Sequence, residues 1–281
     1  MTTPSLVPGP VDQPSRVYPV RPELLPTIEL TAGRYVARFA RTAAELDDAL
    51  RLRFEVFNLE LGEGLQESFA TERDSDAHDW RWHHLLVWDR ESGQVIGTYR
   101  MQTVEMADEG TGFYSDAEYD LSALPLLLRS QSVELGRACI AREHRNKLAL
   151  LLLWKGLASY LVSTGKRYLF GCSSITSQDP RDGLKVEQQL RDSGHMAALR
   201  VEPHAELRCN TAPELEGRRP SEDEIRSWPE IQIPKLFRTY LRYGSKICSG
   251  PAMDREFKSI DFLTLLDIED LSPRARSMFF P

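Results

Sequence analysis

One stretch, Gln131 to Cys172 (QSVELGRACIAREHRNKLALLLLWKGLASYLVSTGKRYLFGC), limits what this chain can fold into more than any other. Gln131 to Ile140 alternates as a strand does, and Arg167 to Cys172 reads as a second, shorter strand. Between them, Asn146 to Thr164 sets Leu148, Leu151, Leu152, Leu157, Tyr160 and Leu161 at helical spacing, with Gly165 where a left-handed C-cap belongs. Two strands joined by such a helix lie parallel, with the helix packed on the sheet in a right-handed crossover. The turn Arg142-Glu143-His144-Arg145-Asn146-Lys147 then offers cations and free N–H groups at a helix N-terminus, which suits an anion.

Within the first strand, alternation puts Glu134 on one face with Gly136, Ala138 and Ile140. Gly136 can relax the pleat into a bulge and bring Arg137 towards the cleft that Glu134 borders. Periodicity alone is equally served by a Glu and an Arg at a solvent-exposed sheet end. A carboxylate bordering an apolar cleft has its pKa raised and can act as a general base.

The remaining elements can be placed around this unit. Residues 1–33 hold seven of the 17 prolines and no apolar period, so they read as a flexible leader before a single domain at 34–281. Tyr35 to Ala40 reads as a strand, and Thr42-Ala-Ala-Glu45 is a capping box that opens a helix running to Gly62 and Gly64. His83 to Asp89 and Gln94 to Thr103 form a hairpin about Arg90-Glu-Ser-Gly93. A short helix follows near Leu124, then a polar helix near Asp182 to Ser193. Residues 194–229 read as irregular, ahead of a last helix, Pro234 to Tyr243, and a strand, Phe262 to Asp267.

A hydrophobic content of 41% supports a sizeable core, and a net charge of -7 argues against general nucleic-acid binding. Cys139, Cys172, Cys209 and Cys248 are widely spaced without a CxxC pair, so neither a zinc site nor a disulfide framework is expected and a cytoplasmic setting fits. The longest apolar run, Leu148 to Trp154, is too short to span a bilayer, which leaves only peripheral membrane contact. Ser173 and Ser174 lack a GxSxG elbow, and His83 and His84 are adjacent on a strand rather than spaced as in HExxH.

Several blocks resemble one family. Glu134-Leu-Gly-Arg137, Arg145-Asn146 and the run ending at Trp154 resemble the fourth strand, donor loop and following helix of GNAT-type acyltransferases. Val95-Ile-Gly-Thr-Tyr-Arg100 resembles the hydrophobic-Gly-x-x-Arg strand common in GNAT proteins, and Leu52-Arg-Phe-Glu-Val-Phe57, Asp74-x-Asp76-x-x-Asp79, Gly112 to Leu121 and Gly250 to Asp261 resemble the branch fed by acyl carrier protein. That branch comprises ornithine-lipid N-acyltransferases, long-chain N-acyl amino acid synthases and, further off, acyl-homoserine lactone synthases. The resemblance spans about residues 34 to 270. It implies an α/β GNAT fold, a central mixed, mostly antiparallel sheet with helices on both faces.

It also implies roles. Arg53 and Phe57 border the acceptor cleft, although a core role serves Phe57 equally. Asp74, Asp76 and Asp79 hold a cationic amino substrate, where the plain alternative is a solvated acidic loop. His84 and Arg100 join them, His84 being as readily a structural strand histidine. Glu134 is the base, Gly136 opens the strand so that N–H groups face the thioester oxygen, and Arg137 orients the acceptor carboxylate.

Coenzyme-A-dependent members carry Arg/Gln-x-x-Gly-x-Gly/Ala at the donor turn, and here Leu148 fills the first glycine position. The implied donor is therefore the acyl-phosphopantetheine of acyl carrier protein, held by Arg142, Arg145, Asn146 and Lys147, with Lys166 and Arg167 completing a basic dock. No bound cofactor is expected. The implied reaction moves a long-chain, in some cases 3-hydroxylated, acyl group to an amino acid α-amine, ornithine first, forming lyso-ornithine lipid. The alternatives are a synthase of other N-acyl amino acids (glycine, tyrosine), a lactone-forming signal synthase and a non-catalytic acyl-binding protein.

Overall fold

The crossover forms as its sequence implies. In the computed structural model, which describes residues 17–215 and 218–280, strand Ser132–Ile140 pairs in parallel with strand Tyr168–Ile175. The helix Lys147–Thr164 joins them, with Asn146 as its N-cap and Gly165 as a left-handed C-cap at φ 65°. In chain order the strands are β1 (Leu30–Ala32), β2 (Tyr35–Phe39), β3 (His83–Asp89), β4 (Val95–Thr103), β5 (Ser132–Ile140), β6 (Tyr168–Ile175), β7 (Met196–Val201), β8 (Lys246–Ser249), β9 (Ala252–Asp254) and β10 (Ser259–Asp267). They form one sheet in the order β1-β2-β3-β4-β5-β6-β10-β8-β7, with β9 against β10. Only the β5/β6 and β7/β8 pairs are parallel.

Helices cover both faces. On one, Leu152, Leu153, Leu157 and Leu161 of the crossover helix share a core with Ala37, Leu85, Val87, Tyr99, Met101 and Val133. On the other, the opening helix Ala43–Arg53 packs Ala49 against Leu86 and Leu52 against Cys139. Leu85 and Leu86 are neighbours in β3, so pleat alternation sends them to opposite layers. The capping box at Thr42 and Glu45 is present.

Four expectations are corrected. Residues 17–33 are not a flexible leader: β1 pairs with β2, Leu25 is buried, and Tyr18 and Val20 bond to His84 and His83. Residues 1–16 of the expected leader lie outside those described. The opening helix does not run evenly to Gly62 but widens into a π-helix at Phe54–Glu60. The span 194–229 contains β7 and the helix Glu222–Ser227. The last helix is Pro273–Phe279, beyond the expected one at Lys235–Arg242, and its Phe279 stacks on Trp154 at 5.1 Å.

Gly156 sets the distance between the crossover helix and the sheet, because a Cβ there would lie 2.4 Å from Leu85 Cδ2. Leu85 is fully buried and has little room to withdraw. Gly156→Ala is expected to destabilise the protein by about 1–3 kcal/mol, as overpacking does, measured as a fall in the urea midpoint.

Candidate active site

β5 and β6 pair only through Ser132–Tyr168, Val133–Leu169 and Glu134–Phe170, and then part. Two backbone features accompany the opening. β5 slips against β4 between Thr98 and Arg100, where Arg137 takes a left-handed φ of 50°. The expected bulge is therefore real, but its left-handed residue is Arg137 rather than Gly136. Gly136 is needed for space, since a Cβ would come to 3.3 Å from Arg100 Nε. Across the split, Gly171 has φ 156°, and a Cβ there would meet the Leu135 carbonyl oxygen at 2.3 Å.

The parted strands enclose a cavity of about 80 Å³ bordered by Leu135, Gly136, Arg137 and Ala138 on one side and Gly171, Cys172 and Ser173 on the other, with Trp154 and Leu157 at its floor.

On the opposite face of the sheet lies a buried ion network. Arg53 donates to Asp74 at 2.8 Å and to Asp79 at 2.5 and 3.3 Å. Arg100 reaches Asp76 at 2.7 Å and Asp79 at 2.9 Å, and Arg137 lies 3.3 Å from Asp74 and 3.4 Å from Asp76. Burial would raise the Asp79 pKa, but the Arg53 and Arg100 guanidiniums hold it well below the usual carboxylate range. His84 Nε2 donates to Asp79 at 3.4 Å and its Nδ1 accepts from the Tyr18 hydroxyl, while burial lowers its pKa, so the ring is a neutral brace.

The expected carboxylate cluster is thus matched by three arginines and has no spare charge for a cationic substrate. Arg53, Arg100, Asp74 and Asp79 are fully buried, and only Arg137 and Asp76 reach solvent. Phe57 lies against the cluster of Leu52, Val56 and Cys139, a packing role.

Arg137 is only partly satisfied: its Nε lies 3.3 Å from Asp74 without hydrogen-bond geometry, and Nε and Nη2 of Arg100 are likewise buried without a hydrogen-bond partner. Its guanidinium lies 3.9 Å over the Phe257 ring and 5.2 Å over Tyr114, and Arg100 lies over Trp82. A left-handed, partly satisfied arginine at the mouth of a split is held strain of the kind found at functional positions.

Glu134 does not stand open to the cleft. It is 1% exposed and accepts hydrogen bonds from Gln102 Nε2, from the Tyr114 and Ser115 backbone N–H groups and from the Ser115 hydroxyl, at 2.7–2.9 Å. Burial raises its pKa, and these donors oppose the rise. From Ser115 the contacts run on to Cys172 Sγ at 3.6 Å and thence to Glu118 Oε2 at 3.7 Å. Glu118 and Asp261 are more than nine-tenths buried, and neither pairs with a cation among the described residues. Burial first and then their mutual repulsion hold Glu118 well above the carboxylate range, while burial and neighbouring Asp254 carry Asp261 up to about 6.

Glu118, Cys172 and Asp261 are the only group of potential metal ligands among the described residues, their ligand atoms within 4.8 Å of one another. Sequence reasoning singled out neither Ser115 nor Glu118. Their only signal was the resemblance of the 112–121 and 250–261 blocks, which the fold brings to the same pocket.

The donor turn is also altered. Asn146 Oδ1 already accepts from Leu148 and Ala149 N–H, so the helix N-terminus is capped rather than free. Arg145 is clamped by both oxygens of Glu60 at 2.6 Å, Lys166 by Glu105, and Arg167 by Asp267 and Glu269. The expected basic dock is therefore largely neutralised, leaving Arg142 and Lys147 exposed.

A mixed sheet that parts beside a crossover helix, over a carboxylate and guanidinium pair, defines an acyltransferase of the GNAT class. Residues 52–155 match the family described as an acetyltransferase (GNAT) domain. The L-ornithine N(alpha)-acyltransferase of Brucella abortus is 32% identical over 258 residues, covering 88% of this chain and 89% of that protein. The protein of the same name from Rhodobacter capsulatus is 31% identical over 254 residues, covering 87% and 94%. The chain belongs to the L-ornithine N(alpha)-acyltransferase family. Among solved structures, FeeM, an N-acyl amino acid synthase from uncultured soil microbes, is 14% identical with a TM-score of 0.48, covering 87% of this chain and 94% of that one.

Asp79→Asn breaks a buried ion pair and is expected to cost about 3–5 kcal/mol, read by chemical denaturation. Because the Asp79 pKa is depressed in the folded state, its contribution is present above the unfolded-state pKa and is lost as pH falls through the folded value. The variant should accordingly show a flatter loss of stability on acidification than the wild type.

Proposed function

We propose that the protein transfers a long-chain fatty acyl group from the phosphopantetheine arm of acyl carrier protein to the α-amine of L-ornithine, giving lyso-ornithine lipid. The observation that carries this reading is one split in one sheet with an apolar cleft on one face and a charged pocket on the other, in a chain of this family. The reaction needs a free amine, a thioester carbonyl within reach and donors for the oxyanion. The ammonium loses a proton, the nitrogen lone pair attacks the thioester carbon, and the C–S bond breaks. The thiolate takes the second N–H proton, so one proton is released overall.

Arg137 orients the acceptor carboxylate. The carboxylates of Asp74, Asp76 and Asp79 are already paired, so a second ammonium on the acceptor is matched by Glu118, Asp254 and Asp261, which pair with no cation among the described residues and whose ionised forms a bound ammonium favours. Glu134 takes the proton by way of the Ser115 hydroxyl, because its own acceptor positions are filled. N–H groups of β5 around the Arg137 bulge receive the thioester oxygen.

The side-chain cap at Asn146 favours the single phosphodiester of a carrier protein over a pyrophosphate, with Arg142 and Lys147 as its cations. The donor sets the reaction in the cytoplasm, and the exposed Leu126 and Leu127 support peripheral contact of the product side with a membrane.

Purified protein given long-chain acyl carrier protein, the matching acyl-CoA and a panel of amino acids is expected to yield acyl-ornithine from the carrier protein alone, followed by mass spectrometry. Acylated glycine or tyrosine instead would move the acceptor assignment, and no product from any pair would leave an acyl-binding protein. Arg137→Met is expected to raise the acceptor KM about tenfold or more, in line with about 1.5–3 kcal/mol for a charged hydrogen bond, with the donor KM unchanged.

A further inference from the structure

Trp154 carries a donor that the fold does not use. The side chain lines the cleft between β5 and β6, is 5% exposed, and its Nε1–H has no hydrogen-bond partner. The ring is locked by stacking on Phe279 at 5.1 Å and by the Tyr243 edge at 5.0 Å. A buried donor without a partner is costly, and most are satisfied in folded proteins. Phenylalanine would keep the stacking without that cost, so the indole N–H is the one part of this side chain that its packing does not account for.

The other polar groups lining the same cleft narrow the class of ligand. Tyr99 and Tyr240 bond through their hydroxyls and leave one phenolic hydrogen over, and Ser173 accepts from Thr264 and keeps its own. These are neutral donors; Cys172 and Ser245, which also line the slot, carry no charge, and Arg137 borders it while its guanidinium is engaged by Asp74 and Asp76 on the opposite face. Such a set matches a neutral oxygen, a carbonyl or hydroxyl, and offers no charge to a phosphate or carboxylate.

We propose that Trp154 is a specificity-determining residue for the acyl donor, its indole N–H binding a neutral oxygen that the donor carries into the cleft. This rests on the proposed function, with the apolar cleft beside the β5 bulge taken as the slot for the donor whose thioester oxygen that bulge receives. The oxygen belongs either to an amide carbonyl of the pantetheine arm or to a hydroxyl on the acyl chain.

Trp154→Phe distinguishes the two when assayed with carrier protein bearing 3-hydroxyacyl and unsubstituted chains of equal length. The donor KM is expected to rise about three- to tenfold, with kcat and acceptor KM little changed. A rise with both donors assigns the pantetheine carbonyl, and a rise with the hydroxylated donor alone assigns the chain. An unchanged KM with both overturns the proposal. Should the variant not fold, the 15N-labelled indole resonance of Trp154 in the wild type decides. A downfield shift of its proton on saturation with acyl-pantetheine supports the proposal, and an unmoved resonance overturns it. Wild-type protein that binds acyl-pantetheine through Trp154 yet makes no product would sink the proposed function while leaving this inference standing.

Discussion

Everything at the site follows from the parting of β5 and β6 one residue past Glu134. Parallel strands held by a crossover normally stay paired along their length, because each lost backbone bond must be replaced. Here the loss is localised. Gly171 lets the Leu135 carbonyl turn into space that any side chain would occupy, and Arg137 absorbs the change of pleat in a left-handed conformation. The crossover helix, seated close on β3 at Gly156, closes the slot from one side.

The second organising feature is the ion network that joins the opening helix, the 74–79 loop and β4 to that split. Arg53, Asp74 and Asp79 are removed from water completely, so their value lies in mutual satisfaction rather than in net attraction. Charge at the base is matched, three arginines to three aspartates, and Arg137 stands at the mouth, where it reaches solvent. The same neutralisation explains why an acidic loop does not make an acidic pocket. The carboxylates that face no cation, Glu118 and Asp261, come from the 112–121 loop and β10, elements far apart in the chain.

Much of the fold was legible. The crossover, the hairpin and the capping box rest on local rules, periodicity, caps and turn residues, and the structure has them within about three residues at each end. Less legible were β7, whose pairing with β8 comes from distant chain, and the helix Pro273–Phe279, held by Trp154 and Tyr243. Glu134 has the raised pKa expected of a carboxylate at an apolar cleft, but the free acceptor positions expected of it, and the free charge expected of the 74–79 acids and the donor-turn cations, are taken up by neighbours in a common way. Each was weighed without its partner: Ser115, three arginines, Glu60.

The sequence by itself determined where the strands and helices lie, that a parallel crossover sits at the centre, and which residue types can reach its open end. These depend on the spacing of side chains along a few turns or pleats. Only the tertiary structure decided which of those charges remain available. A carboxylate or a guanidinium acquires its protonation state and its spare hydrogen bonds from neighbours twenty to more than a hundred residues away, as Arg53 does from Asp74 and Glu118 from Asp261, and burial makes each such pairing decisive.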